Sequence, residues 1–376
     1  MRQLPELTQE ERIPLLLRGM YESYGFRRFR LSRFEPYDLY WQNRNFLLSE
    51  QVLTFTGADG RLLAMRPDVT VGIAKNIPAE TASAKLYYLE NVFRRRPGSR
   101  EYSEISQIGL ESIGRDDVYS EAEVVLLALE SLELLGEDYL LGLGHMGLVG
   151  AALTDCGLEG ESQEAALELL RQKNEGALTQ LLTEQGSDAD SMGLLLALTR
   201  LSGPPDQVLP QLSALPSSPA AIAARQRLEE LCLLLAESGY GQRLRLDFSL
   251  VCDMDYYNGL VFRGFLRRLP TAVLSGGRYD KLMLRFHKPQ AAIGFAIYWG
   301  EAARAFRQQE EYEADVLLLY NDGSQARQAL AIGEKLRRQG LSVRCETQAP
   351  TGLQARQVLT IEEYLDSTAK EDITNA

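Results

Sequence analysis

At 376 residues, the chain is long enough to bury a full hydrophobic core and to form two or three domains. Its 45% hydrophobic and 24% charged residues are typical of a globular protein, and its net charge of −12 argues against a broad nucleic-acid-binding surface, which needs an excess of Lys and Arg. Four widely spaced cysteines without a CxxC motif and only two histidines argue against a metal site, a disulfide framework or a His-based catalytic triad.

The N-terminal segment and the apolar runs indicate where the protein works. The first residues, MRQLPELTQEER, lack the apolar stretch of a signal peptide, and no apolar run is long enough to span a membrane. We therefore expect a cytoplasmic protein that makes no membrane contact.

The first predicted elements are a helix from Thr8 to Tyr24 and a strand over residues 26–34. Thr8 is a favoured N-cap residue, apolar residues recur after it at helical spacing, and Gly25 suits the left-handed conformation that ends many helices. The following segment, FRRFRLSRF, has the aromatic content of a strand, with arginines interleaved.

A β-hairpin is predicted over residues 52–65, with its turn at residues 58–60, followed by a short helix from Thr70 to Ala74. Asp68 precedes this helix closely. An acid there is a normal capping residue, but Asp68 and Thr70 together could also hold the ammonium group of a ligand. Both interpretations remain open from the sequence.

A pair of strands with a basic connection occupies residues 86–114. Residues 86–93 and 106–113 have strand character, and the connection RRRPGSR between them cannot continue a strand because of its Pro-Gly-Ser sequence. In the second strand Gln107 and Glu111 share one face. Guanidinium groups beside this polar row suit a small zwitterion or a polyanion, although a solvated basic loop explains the composition equally well.

The remaining elements are predicted from periodicity and turn residues. After a helix at 120–134 and a strand at 139–143, Leu- and Ala-rich helical periods at 148–235 indicate helices packed through their leucines. Beyond this region the sequence predicts strands of a largely antiparallel sheet and then a single βαβ unit, whose end after Asp372 we expect to be frayed. These strands lie at residues 243–250, 260–265, 272–277 and 291–297, and the βαβ unit at 314–320, 325–339 and 341–345.

Several segments in a fixed order resemble one known family. Residues 65–70 (MRPDVT) are similar to its LRPEGT segment, residues 93–111 to its motif 2, and residues 250–259 (LVCDMDYYNG) to LVRGLDYYNG. The segments SGGRYD at 275–280 and IGFA at 293–296 follow. These segments resemble the class II aminoacyl-tRNA synthetases, in the histidyl branch.

The resemblance covers residues 5–310 and implies an α+β fold, in which an antiparallel sheet is flanked by helices. It implies a synthetase-like core at 1–147 and 239–310, a helical insertion at 148–238, and a truncated α/β region at 311–376. It also implies a homodimer built on the first helix and strand, where Ser32 replaces a proline of the family.

Positions that handle ATP in the family have changed in this chain. Cys252 and Asp253 replace the Arg-Gly pair of LVRGLDYY, and Glu301 replaces the arginine of motif 3. Amino-acid activation needs positive charge at the phosphates, so acids at these positions are unfavourable. Motif 2 is also altered around Arg95. We therefore expect a chain with no catalytic residues that cannot activate an amino acid, and the shortened C-terminal region makes tRNA an unexpected partner.

The positions of the family's histidine pocket are kept. Carboxylates suit an ammonium group, Arg and Gln suit a carboxylate, and an acid with a tyrosine hydroxyl suits an imidazole. The resemblance implies a histidine-binding site without metal or cofactor, formed by Asp68, Thr70, Arg94, Gln107, Glu111, Tyr256 and Tyr257. Inherited scaffold residues that bind nothing are the alternative interpretation.

A synthetase core with a retained histidine pocket and altered ATP positions resembles the regulatory subunits of ATP phosphoribosyltransferase. That resemblance implies a non-catalytic subunit in the first step of histidine biosynthesis. Its implied partners are the short-form catalytic subunit, a second copy of itself and L-histidine as feedback effector. The alternatives are a functional histidyl-tRNA synthetase or related ligase, and an RNA-binding module that uses the basic loop.

Overall fold

The computed structural model describes residues 7–42, 52–95, 101–252, 254, 256–306 and 312–366. The chain divides into two compact units, Met1–Phe306 and Arg307–Ala376. Each unit is described separately below.

The described residues form fifteen strands and thirteen α-helices. The strands are β1 (Arg27–Arg28), β2 (Phe34–Pro36), β3 (Thr54–Thr56), β4 (Leu62–Met65), β5 (Ala84–Arg95), β6 (Tyr102–Gly114), β7 (Tyr139–His145), β8 (Ser202–Gly203), β9 (Leu244–Asp247), β10 (Leu260–Leu266), β11 (Ala272–Arg278), β12 (Ala291–Tyr298), β13 (Ala314–Leu319), β14 (Val343–Glu346) and β15 (Ala355–Thr360). The helices are α1 (Gln9–Ser23), α2 (Asp38–Gln42), α3 (Val69–Asn76), α4 (Val118–Leu135), α5 (Met146–Asp155), α6 (Gly160–Arg171), α7 (Glu175–Glu184), α8 (Ala189–Arg200), α9 (Pro205–Ser213), α10 (Pro219–Glu237), α11 (Asp280–Arg285), α12 (Trp299–Ala302) and α13 (Ala326–Arg338).

A nine-stranded sheet in the order β1-β5-β6-β12-β11-β10-β7-β9-β8 organises the first unit. Its pairs are antiparallel except β1/β5 and β7/β9, which confirms the predicted, largely antiparallel sheet. A separate antiparallel sheet, β2-β4-β3, contains the predicted hairpin, whose Gly60 has a φ of 78°.

Two hydrophobic clusters lie against the central strands. On β6, Ile108 and Leu110 belong to a large cluster that also contains residues of α1, α4 and the helices α5–α10. Leucines of the predicted insertion, such as Leu178 and Leu228, are fully buried in this cluster, so their predicted role in the core is confirmed. A second cluster holds Val71 and other residues of α3 together with α11.

The first helix follows the prediction closely. Thr8 accepts a hydrogen bond from the backbone of Glu11, whose side chain accepts one from the Thr8 backbone, so the two residues form a capping box. Gly25 follows the helix with a φ of 84°, the left-handed conformation expected at this position.

The strand predicted over residues 26–34 is largely wrong. Only Arg27–Arg28 pairs with the main sheet, in parallel with β5. The Ser32 hydroxyl accepts from the Phe34 amide (3.1 Å) and donates to the Phe34 carbonyl (2.8 Å). A local hydrogen bond of this kind competes with strand pairing, so the chain turns and enters the smaller sheet at β2.

The second unit is more complete than a single βαβ motif. Strand β13 pairs in parallel with β14 on one side and with β15 on the other. Residues 361–366 are helical, and Ile361 and Tyr364 join the cluster beneath α13. The sequence prediction misses β15 because its middle residues are exposed, which removes the apolar pattern of a buried strand.

No helix in the described part of the chain is both long enough and apolar enough to cross a membrane. The predicted frayed end after Asp372 lies outside the described residues.

Candidate functional site

A cavity of about 260 Å³ lies on the face of the central sheet opposite α1 and α4. It is formed by strands β5, β6, β11 and β12, the start of α3 and the segment before β10. All of the residues predicted to bind a ligand line this cavity: Asp68, Thr70, Arg94, Gln107, Glu111, Tyr256 and Tyr257.

Asp68 has two roles in this cavity. One carboxylate oxygen accepts from the Val71 amide at 2.9 Å and caps α3, so the capping interpretation is confirmed. The other oxygen accepts from Arg94 Nη2 at 2.8 Å. Arg94 also donates from Nε to the Pro67 carbonyl, which fixes its guanidinium beside the helix start. The cavity therefore contains adjacent negative and positive groups.

Glu111 lies on β6 with only 1% of its surface exposed. Thr70 Oγ1 donates to Oε1 and Tyr279 Oη donates to Oε2, both at 2.7 Å. Burial raises the pKa of Glu111 to about 8, although the two hydroxyl donors act in the opposite direction. This carboxyl group can therefore change between a neutral and a charged partner near neutral pH.

Glycines make room for this carboxylate. Gly294 on β12 is the register partner of Glu111, and a Cβ at position 294 would lie 1.8 Å from Glu111 Oε2. At Gly109, a Cβ would lie 2.3 Å from the Phe295 carbonyl and 2.5 Å from the Tyr88 hydroxyl. Side chains at these two positions would fill the cavity.

Gln107 presents a polar group that the cavity leaves available. The residue is 6% exposed, and its side-chain amide has no hydrogen-bonding partner in the part of the chain that the structure describes. A buried amide without a partner is costly, so its place in the cavity wall indicates a polar ligand or water.

Aromatic side chains supply much of the remaining wall. The rings of Tyr256 and Tyr257 lie 4.6 Å apart between centroids, and Tyr256 also lies 6.4 Å from the ring of Tyr279. Burial raises the pKa of all three phenols well above the usual value, so they remain neutral. They offer stacking surfaces together with hydroxyl groups.

Sequence reasoning missed part of the lining. The additional side chains with polar atoms are Tyr88, Ser275, Tyr279 and Tyr298. Ser275 and Tyr279 belong to the SGGRYD segment, which carried the resemblance but received no role, so that segment was an available signal. Tyr88 and Tyr298 gave no comparable signal.

The altered ATP positions fall in different surroundings. Cys252 lines the cavity. Glu301 lies on α12, where it accepts a hydrogen bond from Arg304 at 2.8 Å. Asp253 and residues 96–100 of the basic connection lie outside the described residues. Within the described residues, no group of three or more His, Cys, Asp or Glu side chains is placed to hold a metal ion.

Comparisons with known proteins agree with this architecture. The histidyl-tRNA synthetase family model matches residues 2–301. An ATP phosphoribosyltransferase regulatory subunit from Clostridium kluyveri is 31% identical over 300 residues, which cover 78% of this chain and 76% of that relative.

Two solved structures share the fold. An ATP phosphoribosyltransferase regulatory subunit/histidyl-tRNA synthetase from Bacillus halodurans has a TM-score of 0.75 at 24% identity and covers 96% of both chains. A chain of the ATP phosphoribosyl transferase (HisG:HisZ) complex from Thermotoga maritima has a TM-score of 0.60 at 19% identity, covering 79% of this chain and 98% of that one. The fold is that of the class II histidyl-tRNA synthetases, and the chain belongs to the histidyl-tRNA synthetase-like family that includes the ATP phosphoribosyltransferase regulatory subunits.

Proposed function

We propose that this chain is a non-catalytic regulatory subunit of ATP phosphoribosyltransferase that binds L-histidine in the cavity described above. It assembles with the short-form catalytic subunit, and histidine bound in the cavity inhibits the assembly. The observation that carries the proposal is the meeting of an Arg94–Asp68 ion pair, the Gln107 amide and the Glu111 carboxyl group in one cavity.

The charges of the cavity suit an amino acid. The ammonium group of a zwitterion pairs with Asp68, and its carboxylate pairs with Arg94 and Gln107. The Glu111 carboxyl group, held by two hydroxyl donors, is then available to the imidazole. A volume of about 260 Å³ lies just below the ~300–1,000 Å³ of pockets for drug-sized ligands, which favours a ligand of amino-acid size.

The residues at the ATP positions support a chain that does not activate the amino acid. Cys252 brings no positive charge to the cavity wall. Glu301, at the position of the family's motif 3 arginine, would repel phosphates and is already paired with Arg304. Losing positioned positive charge at a phosphoryl centre costs orders of magnitude in rate.

The names of the relatives support the choice of partner. The C. kluyveri relative is called an ATP phosphoribosyltransferase regulatory subunit, and the T. maritima structure is a complex of that transferase. Histidine regulation would require the assembled states to bind histidine unequally, and a coupling of about 1–3 kcal/mol gives about 5- to 150-fold control. A homodimer of this chain is part of the proposed assembly.

Co-purification with the short-form catalytic subunit from the same organism tests the assembly. A hetero-oligomer of defined mass is expected by size-exclusion chromatography with light scattering. Two chains that elute separately at micromolar concentration would contradict the proposed partner.

Inhibition of that complex tests the ligand. Glu111→Ala is expected to leave the complex intact and to remove inhibition by L-histidine, because the carboxyl group that faces the imidazole is lost. The matched control is Glu168→Ala, which alters a carboxylate on the surface of α6 that is paired with Arg171. Unchanged inhibition in Glu111→Ala would rule out this cavity as the effector site.

A histidyl-tRNA synthetase or related ligase is the second candidate, because the matching family model is that of histidyl-tRNA synthetase. Histidine-dependent ATP–pyrophosphate exchange distinguishes the two. We expect no exchange above background, and exchange at the rate of a synthetase would replace the regulatory proposal.

A further inference from the structure

Five charged side chains meet where α10 of the predicted helical insertion approaches the core. Arg227 on α10 binds Glu121 at 3.0 Å and Asp116 at 3.2 Å. Arg278, at the end of β11, binds the same two acids at 2.9 Å and 2.7 Å, and it binds Asp280 at 2.8 Å. The Glu121 side chain is only 4% exposed, so it depends on both arginines for its charge partners.

This cluster continues into the segments that form the cavity. Asp280 accepts from Asn258 Nδ2 at 3.1 Å, and its own amide donates to Asn258 Oδ1 at 2.9 Å. Asn258 directly follows Tyr256 and Tyr257, while Tyr279 lies between the two cluster residues Arg278 and Asp280. Three aromatic residues of the cavity are therefore neighbours in sequence of residues held by the cluster.

Other helices that follow β7 touch the same segment at a second point. Gln163 on α6 lies 3.1 Å from Met254 Sδ. A Cβ at Gly150, on α5, would lie 2.8 Å from Met254 Cε, so the methionine side chain packs directly on that helix. Met254 precedes Tyr256 by two positions and belongs to the large hydrophobic cluster.

We propose that helix α10 and the ligand cavity are energetically coupled, with Arg227 acting as a positioning residue for the segment that carries Tyr256 and Tyr257. When Arg227 is lost, Arg278 must balance Asp116 and Glu121 in addition to Asp280, and its contact with Asp280 weakens. The segment held by Asn258 then loosens. Only the identity of the ligand used below, L-histidine, rests on the proposed function.

Two measurements on the full chain test the coupling. The first is the rate at which iodoacetamide alkylates Cys252, resolved by peptide mass mapping, with Cys345 of the other compact unit as internal reference. Cys252 lines the cavity just before Met254 and reports on the segment without any ligand. The second is calorimetric titration with L-histidine.

The test variant is Arg227→Gln, and the matched control is Arg225→Gln on the same helix, which pairs with Glu229 and lies outside the cluster. We expect Arg227→Gln to raise the Cys252 rate several-fold and to weaken histidine binding about 3- to 30-fold, while the control changes neither. If Arg227→Gln does not fold, Arg227→Lys keeps the charge but not the two-sided contact and takes its place.

The outcomes separate this inference from the proposed function. A Cys252 rate in the Arg227 variant equal to that of the control overturns the coupling, whatever the affinity for histidine. A wild-type chain that binds no histidine refutes the proposed ligand, but a raised Cys252 rate in the same experiment still supports the coupling.

Discussion

The hydroxyl of Tyr279 donates a 2.7 Å hydrogen bond to the Glu111 carboxylate, although 168 positions separate the two residues in sequence. Thr70 donates to the other carboxylate oxygen, so both oxygens of a buried acid are fixed by hydroxyl groups. Hydroxyls can reorient their protons, which allows them to satisfy either protonation state of Glu111. This arrangement holds the acid in place while leaving its charge adjustable.

Tyr279→Phe should be destabilising, because it removes a donor from a carboxylate that stays buried. We expect the free energy of unfolding to fall by about 1–3 kcal/mol in urea denaturation, and the pKa of Glu111 to rise further. L-histidine should bind more weakly, since the acid is no longer fixed.

Tyr119→Phe is the control for that substitution. Its ring is 56% exposed and its hydroxyl lies 3.3 Å from Glu123, outside the cavity. The control should change stability by less than about 0.5 kcal/mol. Equal losses in both variants would mean that the bond to Glu111 has no special weight.

The stability of the chain should depend on pH through Glu111. Its pKa is about 8 in the folded protein against 4.5 for the ordinary group, so between these values the folded state binds more protons than the unfolded state. The contribution of Glu111 is therefore full below about pH 4.5 and is lost as the pH rises through about 8.

Glu111→Gln removes this titration while keeping the shape of the side chain. The free energy of unfolding of the wild type minus that of the variant should decrease as the pH rises from about 5 to about 8, because the other titrating groups cancel in the difference. A difference that stays constant across urea titrations in this range would contradict a raised pKa at Glu111.

Features that depend on neighbours in sequence could be predicted. Thr8 and Asp68 cap helices through amides three positions away, and Gly25 takes its left-handed conformation from the helix end it follows. The alternation that places Gln107 and Glu111 on one face of β6 is equally local. The grouping of the cavity residues became predictable only through the family resemblance.

Features that depend on distant contacts could not be predicted. The role of Tyr279 comes from a partner on another strand, and the polarity of Arg66 gives no hint that it is fully buried between Glu90 and two backbone carbonyls. Strand β15 is defined by its pairing with β13 and not by its own apolar pattern. Tertiary context decided each of these cases.

Gly294→Ala should disrupt the cavity. The new methyl group would lie 1.8 Å from Glu111 Oε2 and 2.4 Å from the Leu110 carbonyl, so the acid or the strand must move. We expect a loss of about 1–3 kcal/mol in the free energy of unfolding and no measurable histidine binding.

Gly300→Ala is the matched control on the neighbouring helix α12, where nothing lies within 4 Å of the added carbon. Because Ala is favoured over Gly inside helices by roughly 0.5–1 kcal/mol, this variant should be at least as stable as the wild type. Scanning calorimetry compares the two, and equal melting temperatures would show that β12 tolerates a side chain against Glu111.

Asp68→Asn separates the two roles of this residue. Asn is as good an N-cap as Asp, so α3 should keep its first turn and the free energy of unfolding should change by about 1 kcal/mol or less. The negative charge beside Arg94 disappears, and with it the partner for a ligand's ammonium group. We expect the affinity for L-histidine to fall about 10- to 100-fold, the range of a charge-assisted hydrogen bond. Asp117→Asn is the control, because Asp117 caps α4 through the Ser120 amide at 2.7 Å and does not line the cavity. Calorimetric titration should give wild-type affinity for the control, and wild-type affinity in Asp68→Asn would mean that Asp68 only caps the helix.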